Sequence, residues 1–241
     1  MTDKSAETGE KLRTPCVSAN GWREYVVQNM KLSAKKLLPG AIIRGVQAYR
    51  FLEASERSMY LKIRLENGLG LTKPKLPRIP TTTRSIVFVC FGNIIRSPAA
   101  EAMMKRALVG HPDLRLSITS AGLNATPGRA AHPWALATAR EFGISLVHHR
   151  ARLLTSDLVA RADVIFAMDY RNQVQIRSRW KDFENKVYML SAYAGEAFRS
   201  GEIRDPYDFG LEETRRCYEV LNTCVRNLLS SLTPVASACL E

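Results

Sequence analysis

The hydrophobic rhythm of the chain changes near residue 85. Before that point apolar positions recur at three- and four-residue spacing, which predicts helices. Trp22, Tyr25, Val26 and Met30 fall near one face of a helix over 22–38, broken by Pro39-Gly40. Ile42, Ile43, Val46, Tyr49, Leu52 and Met59 predict a second helical stretch over 41–65, closed by Asn67-Gly68. Residues 1–20 are polar and read as disordered. LTKPKLPRIPTTTRS, residues 71–85, carries three prolines and a Thr run and reads as a linker.

Past the linker, short apolar runs alternate with amphipathic stretches. Residues 86–89 form a continuous apolar run, as a buried parallel strand requires. Further strands are predicted over 114–120, 164–168 and 187–190. Helices are predicted over 98–108, 132–142, 155–161 with Thr155 as cap, and 211–232. The pattern predicts an α/β fold, a three-layer sandwich around a four-stranded parallel sheet, with a helical N-terminal extension. The expected organisation is an extension over 1–70, the linker over 71–85, a domain over 86–232 and a tail over 233–241.

Composition narrows the class. Hydrophobic residues make up 46% of the 241 and charged residues 24%, as in a soluble globular chain. No apolar run is long enough to span a bilayer, and the first residues carry no hydrophobic leader core, so a cytoplasmic protein is expected. The five cysteines, Cys16, Cys90, Cys217, Cys224 and Cys239, fit neither a disulfide framework nor a zinc pattern. The net charge is +12, of which +9 lies in residues 1–84. That asymmetry suggests an acidic partner or membrane surface for the extension; nucleic acid is not expected.

The candidate chemistry lies in VFVCFGNIIRSPAAEAMM, residues 87–104. Cys90 is separated by five residues from Arg96, between a strand and a helix. A loop of this length can turn successive backbone N–H groups inward as an anion nest. The following helix adds its own N-terminal donors. Gly92 is expected to take backbone angles that a side chain forbids. Arg96 offers a planar fork to two phosphate oxygens. The same field favours a Cys90 thiolate, an in-line nucleophile beneath a bound phosphoryl group.

This segment resembles the V-C-x-G-N-x-x-R-S-P signature of the low-molecular-weight protein-tyrosine phosphatases, closest in character to bacterial members. The resemblance continues in Ser120-Ala121-Gly122, in His149-Arg150-Ala151-Arg152, in Met168-Asp169 with Asn172, and in Asp205-Pro206-Tyr207. It implies a phosphatase I-like fold and metal-independent, cofactor-free hydrolysis of phosphotyrosine in proteins through a phosphocysteine on Cys90. By resemblance Arg96 binds the phosphoryl group and Asp205 is the general acid, then the base. Ser97 hydrogen-bonds the Cys90 sulfur, and Asn93, Ser120 and His149 support the loop. Phe91, Gly92, Ile94 and Ile95 complete the phosphate-binding loop, and Tyr207 supplies an aromatic wall. A cognate tyrosine kinase and control of exopolysaccharide synthesis are implied at family level only.

Three positions depart from the family pattern. Ile95 replaces a second cysteine often found before the Arg, so Cys90 lacks that adjacent resolving thiol. Ala125 stands where a bulky specificity residue is common, which suggests an open side to the cleft. His132-Pro133 replaces an Asp-Pro. Two alternatives accompany the phosphatase reading. An arsenate reductase would need relay thiols, and Cys217 and Cys224 lie in the closing helix, away from the expected place. A phosphate- or phosphotyrosine-binding module would not need Cys90, Arg96 and Asp205 together.

Overall fold

The computed structural model describes residues 49–50, 52–68, 76–195 and 201–233. The segment read as disordered over 1–20 and the helix expected over 22–38 lie outside the described residues, as does most of the tail. The chain divides into two compact units, Met1–Arg50 and Phe51–Glu241, and every element named below belongs to the second.

Four parallel strands form one sheet in the order β2-β1-β3-β4. They are β1 (Ser85–Cys90), β2 (Ser117–Gly122), β3 (Val164–Ala167) and β4 (Val187–Met189). The apolar run of β1 is buried on both faces. Ile86, Phe88 and Cys90 point into one core, and Val87 and Val89 into the other. β3 repeats the alternation, so Phe88 and Phe166 stack with ring centroids 5.8 Å apart. Each such fully buried aromatic contributes roughly 1.5–3 kcal/mol of burial free energy.

Helices cover both faces. The first core is closed by α2 (Arg96–Leu108), α3 (Pro133–Glu141) and the long α6 (Gly210–Leu232). The second is closed by α4 (Ser156–Arg161) and α5 (Tyr170–Arg179). This is the expected three-layer sandwich. Thr155 caps α4 as predicted, its hydroxyl accepting the Leu158 N–H.

Two elements differ from the sequence reading. The sequence YRNQVQIRSR has few apolar positions and no clear period, so α5 goes unread. Yet Asn172, Gln173 and Gln175 are buried in it beside Val174 and Ile176. Its signal is the cap: Asp169 accepts the Asn172 N–H at 2.7 Å. The helical stretch expected over 41–65 has its described helix, α1, at Ala54–Gly68. Glu56 reaches back to the Glu53 N–H at 3.0 Å and sets the start of that helix. α1 packs against α5 and buries Leu52, Glu56 and Tyr60.

The topology fixes where a site can form. β1 is central, and its two neighbours, β2 and β3, both follow it in sequence. A crevice therefore opens beyond its carboxyl end, where open α/β sheets bind ligands. Cys90 is the last residue of β1.

Candidate active site

From Cys90 the chain loops over residues 91–95 into α2 at Arg96. The loop's carbonyls are tied outward. Cys90 O accepts the Leu123 N–H at 3.0 Å, Phe91 O the Asn124 N–H at 2.9 Å, and Ile94 O the His132 N–H at 2.9 Å. Asn93 O is 2.7 Å from His149 Nε2. The Tyr218 hydroxyl lies 3.3 Å from Ile95 O and 3.4 Å from Ala135 O. In a trans peptide the next N–H points opposite its carbonyl. Outward carbonyls at 90, 91, 93, 94 and 95 therefore turn the N–H groups of residues 91, 92, 94, 95 and 96 toward the loop's centre. That is an anion nest at the head of a helix.

Asn93 holds this shape. Its φ of 52° is the positive backbone angle of the loop. The sequence reading assigns the unusual angle to Gly92, but Gly92 lies outside that region and a Cβ there would meet only Ile94, at 3.5 Å. Asn tolerates the left-handed region because its short polar side chain bonds locally. Here Nδ2 donates to Ser97 Oγ and Ser120 Oγ, both at 2.9 Å, and Oδ1 accepts the Arg152 N–H at 2.9 Å. Ser120 in turn donates to Glu101. The side chain is thus satisfied at zero exposure.

The Cys90 sulfur sits inside this frame. Ser97 Oγ is 3.0 Å from it, and the Asn93 N–H donates to it at 3.2 Å. The Ser97 hydroxyl also lies 3.2 Å from Ala121 O. With a neutral thiol, Ser97 can donate to Ala121; with a thiolate it can donate to sulfur. The hydroxyl therefore has a place for its proton in either state.

Arg96 is 1% exposed. Its NH1 donates to Asp169 Oδ2 at 2.6 Å and to Ile203 O at 3.0 Å, and NH2 donates to Asp205. Burial opposes its charge, but Asp205, Asp169 and Cys90 outweigh burial and push its pKa further up, so it stays protonated. Cys90, Arg96 and Asp205 thus converge from β1, α2 and the loop before α6. Ser97, Asn93, Ser120 and His149 join them through the hydrogen bonds described above. Ile94 and Ile95 are buried and lend carbonyls to the frame. Phe91 presents its ring to Arg171, whose guanidinium carbon is 4.2 Å from the centroid.

Tyr207 is 43% exposed, and its N–H donates to Asp205 Oδ1 at 3.3 Å. Its ring meets His132 edge-on at 5.4 Å, and His132 meets Trp134 at 4.7 Å. The sequence reading leaves His132 without a role and looks for openness at Ala125. Ala125 is buried under the loop at 8% exposure, so it does not line an open wall. His132 instead caps α3, its Nδ1 accepting the Trp134 N–H at 3.3 Å. Burial, then Arg129, lowers its basicity and keeps that nitrogen free to accept.

The sequence reading also misses Asp169, Arg152 and Tyr218 as loop supports. Asp169 is legible as a helix cap, whereas the other two act through a backbone N–H and a distant hydroxyl. Among the described residues, no group of three or more His, Cys, Asp or Glu side chains is placed to hold a metal ion. Cys217 and Cys224 are buried in α6. Burial pushes the Cys217 thiol far up and the Cys224 thiol to about 12. Neutral, buried thiols make poor relays.

The profile described as low molecular weight phosphotyrosine protein phosphatase matches residues 85–237. The chain belongs to that family. EpsP of Ralstonia nicotianae, by name a probable low molecular weight protein-tyrosine-phosphatase, is 39% identical over 129 residues, covering 52% of this chain and 79% of its own. A protein-arginine-phosphatase of Bacillus subtilis is 31% identical over 147 residues, covering 61% of this chain and 95% of its own. The crystal structure of the tyrosine phosphatase AmsI of Erwinia amylovora superposes with a TM-score of 0.57 at 30% identity, covering 63% of this chain and 95% of that one.

Proposed function

We propose that the protein hydrolyses phosphotyrosine in proteins through a phosphocysteine on Cys90. The observation that carries this reading is the convergence of the Cys90 sulfur, the buried Arg96 fork and the Asp205 carboxyl on one nest.

The phosphoryl group enters the nest, and Arg96 turns its NH2 from Asp205 to a phosphate oxygen while Asp169 holds NH1. Asp205, released from Arg96, faces the leaving oxygen and acts in its protonated form. The Cys90 thiolate attacks phosphorus, the bond to the phenol oxygen breaks, and Asp205 gives that oxygen its proton. Water then attacks the phosphocysteine. Asp205 takes a proton from it, the P–S bond breaks, and the thiolate leaves with Ser97 and Asn93 N–H donating to sulfur. Nest and guanidinium meet the phosphoryl charge throughout.

Tyr207, His132 and Trp134 form an aromatic cluster beside Asp205 that offers a flat aryl group a packing surface. The expected partner is a phosphotyrosine protein, with a cognate tyrosine kinase the natural candidate. The expected compartment is the cytoplasm, where thiols stay reduced. Among the described residues no helix is long and apolar enough to cross a membrane. The basic extension fits an acidic partner or an anionic membrane surface.

The test compares phosphotyrosine and phosphoarginine peptides, with p-nitrophenyl phosphate as reporter and chelator present. Wild type should turn over phosphotyrosine, and Cys90→Ser should not. Asp205→Ala should be slower by about 10²–10⁴-fold on the phosphotyrosine peptide, whose leaving phenolate needs the proton. A folded but inactive wild type overturns the catalytic reading. Preference for phosphoarginine overturns the substrate class.

A further inference from the structure

The acid Asp205 ends a short approach segment, residues 201–205, that is pinned at Gly201, Glu202 and Ile203. Gly201 O accepts the Ser191 hydroxyl at 2.7 Å. At Gly201, φ is +65° and an added Cβ would lie 2.2 Å from the Tyr170 hydroxyl, so the segment passes tightly over α5. The Ile203 N–H donates to Met168 O at 2.8 Å, and Ile203 O accepts from Arg96.

Glu202 is tied to two elements. Oε1 accepts the Tyr170 N–H at the start of α5, at 3.0 Å. Oε2 accepts from Arg64 of α1, at 2.7 Å. The Arg64 guanidinium also lies about 6 Å from the Tyr60 and Tyr170 rings, at 5.9 and 6.0 Å. Burial, then Asp169, pushes the Glu202 carboxyl up, and the Tyr170 N–H and Arg64 oppose that shift. α1 lies outside the residues that match the family, which begin at 85. A helix ahead of the family domain thus touches the segment that delivers the acid.

We propose that α1 is a positioning element for catalysis, with Arg64 acting through Glu202 to hold the approach to Asp205 in register with Arg96. This rests on the function proposed above. Arg64 touches no reacting atom, so its effect should appear where the acid matters and vanish where it does not. A phenolate that is a poor leaving group needs the proton; an acidic phenol does not. The quantity that reports phosphoryl transfer to cysteine is kcat/KM.

The experiment measures kcat/KM for phenyl phosphate and p-nitrophenyl phosphate with the full-length wild type, Arg64→Ala and Arg64→Lys. Arg64→Ala should lose about tenfold on phenyl phosphate and at most about twofold on p-nitrophenyl phosphate. Arg64→Lys, which keeps the charge, should recover most of the difference. An equal loss on both substrates, the mark of a general structural defect, overturns the proposal; so does no loss on either. A wild type inactive on both overturns the proposed function and this inference together. Wild-type turnover with an unchanged ratio in Arg64→Ala overturns this inference alone.

Discussion

At the scale of single residues, the site depends on space as much as on chemistry. Gly122 ends β2 directly beneath the loop. A Cβ there would lie 2.7 Å from Phe91 O, 2.8 Å from Asn93 N and 3.0 Å from the Ala125 Cβ. Two of these neighbours are backbone atoms of the nest, which cannot move without spoiling it. Gly122→Ala should therefore cost about 1–3 kcal/mol of stability and most of the activity, read by thermal melting and by turnover of p-nitrophenyl phosphate. Wild-type values in both would show that the nest yields freely. The motif Ser120-Ala121-Gly122 was legible in the sequence, but the reason for its glycine was not, because the close approach is made by residues thirty positions away. The loop's positive φ is similar. Gly92 is the obvious candidate by residue type, yet the angle falls on Asn93, because the frame needs an amide there for Ser97, Ser120 and Arg152.

His149 gives the residue scale its pH signature. Burial lowers its basicity, with the Asn93 carbonyl opposing, and His132 is lowered in the same direction. Both titrate near 6.5 when unfolded. Between that value and the depressed folded values, the unfolded chain binds more protons than the native one. Stability therefore rises with pH across that window and is lost as pH falls below about 6.5. Melting temperature measured from pH 7.5 to 5.0 should decline, and His149→Gln should flatten part of the decline. A slope unchanged in His149→Gln would remove this histidine from the account.

At the scale of elements, strands and long helices follow from pattern, and α5 does not. β1 and β3 declare themselves because strands covered on both faces are apolar throughout. α6 declares itself by its amphipathic length. α5 is short and polar, and it is held by its cap and by α1 rather than by an apolar stripe. Asp169 carries two duties there, capping Asn172 N–H and pairing with Arg96 NH1. Asp169→Ala should lose about 1 kcal/mol through the cap, and should also leave the buried Arg96 with one carboxylate fewer. Losing the NH1 anchor should add to that loss of stability and misalign the fork, weakening phosphate binding. Competitive inhibition by inorganic phosphate against p-nitrophenyl phosphate checks it: a weakened inhibition constant is expected, and an unchanged one would show that Asp169 only caps.

At the scale of the whole molecule, charge is the property that outruns the fold. The net charge is +12 and most of it precedes residue 85, outside the family domain. Such a field draws anionic partners from solution and is screened over about 8 Å at physiological salt. The chemistry inside the nest is shielded from that screening, because Arg96 is buried and its partners lie within hydrogen-bond distance. Encounter and chemistry should therefore separate with salt. For an acidic phosphotyrosine peptide, kcat/KM should fall several-fold as ionic strength rises from about 0.01 to 0.15 M, while kcat stays nearly constant. For the small p-nitrophenyl phosphate the fall should be shallower, since fewer charges are steered. Equal salt dependence for both substrates would mean that the basic excess plays no part in capturing protein substrates, and would leave the extension to act through α1 alone.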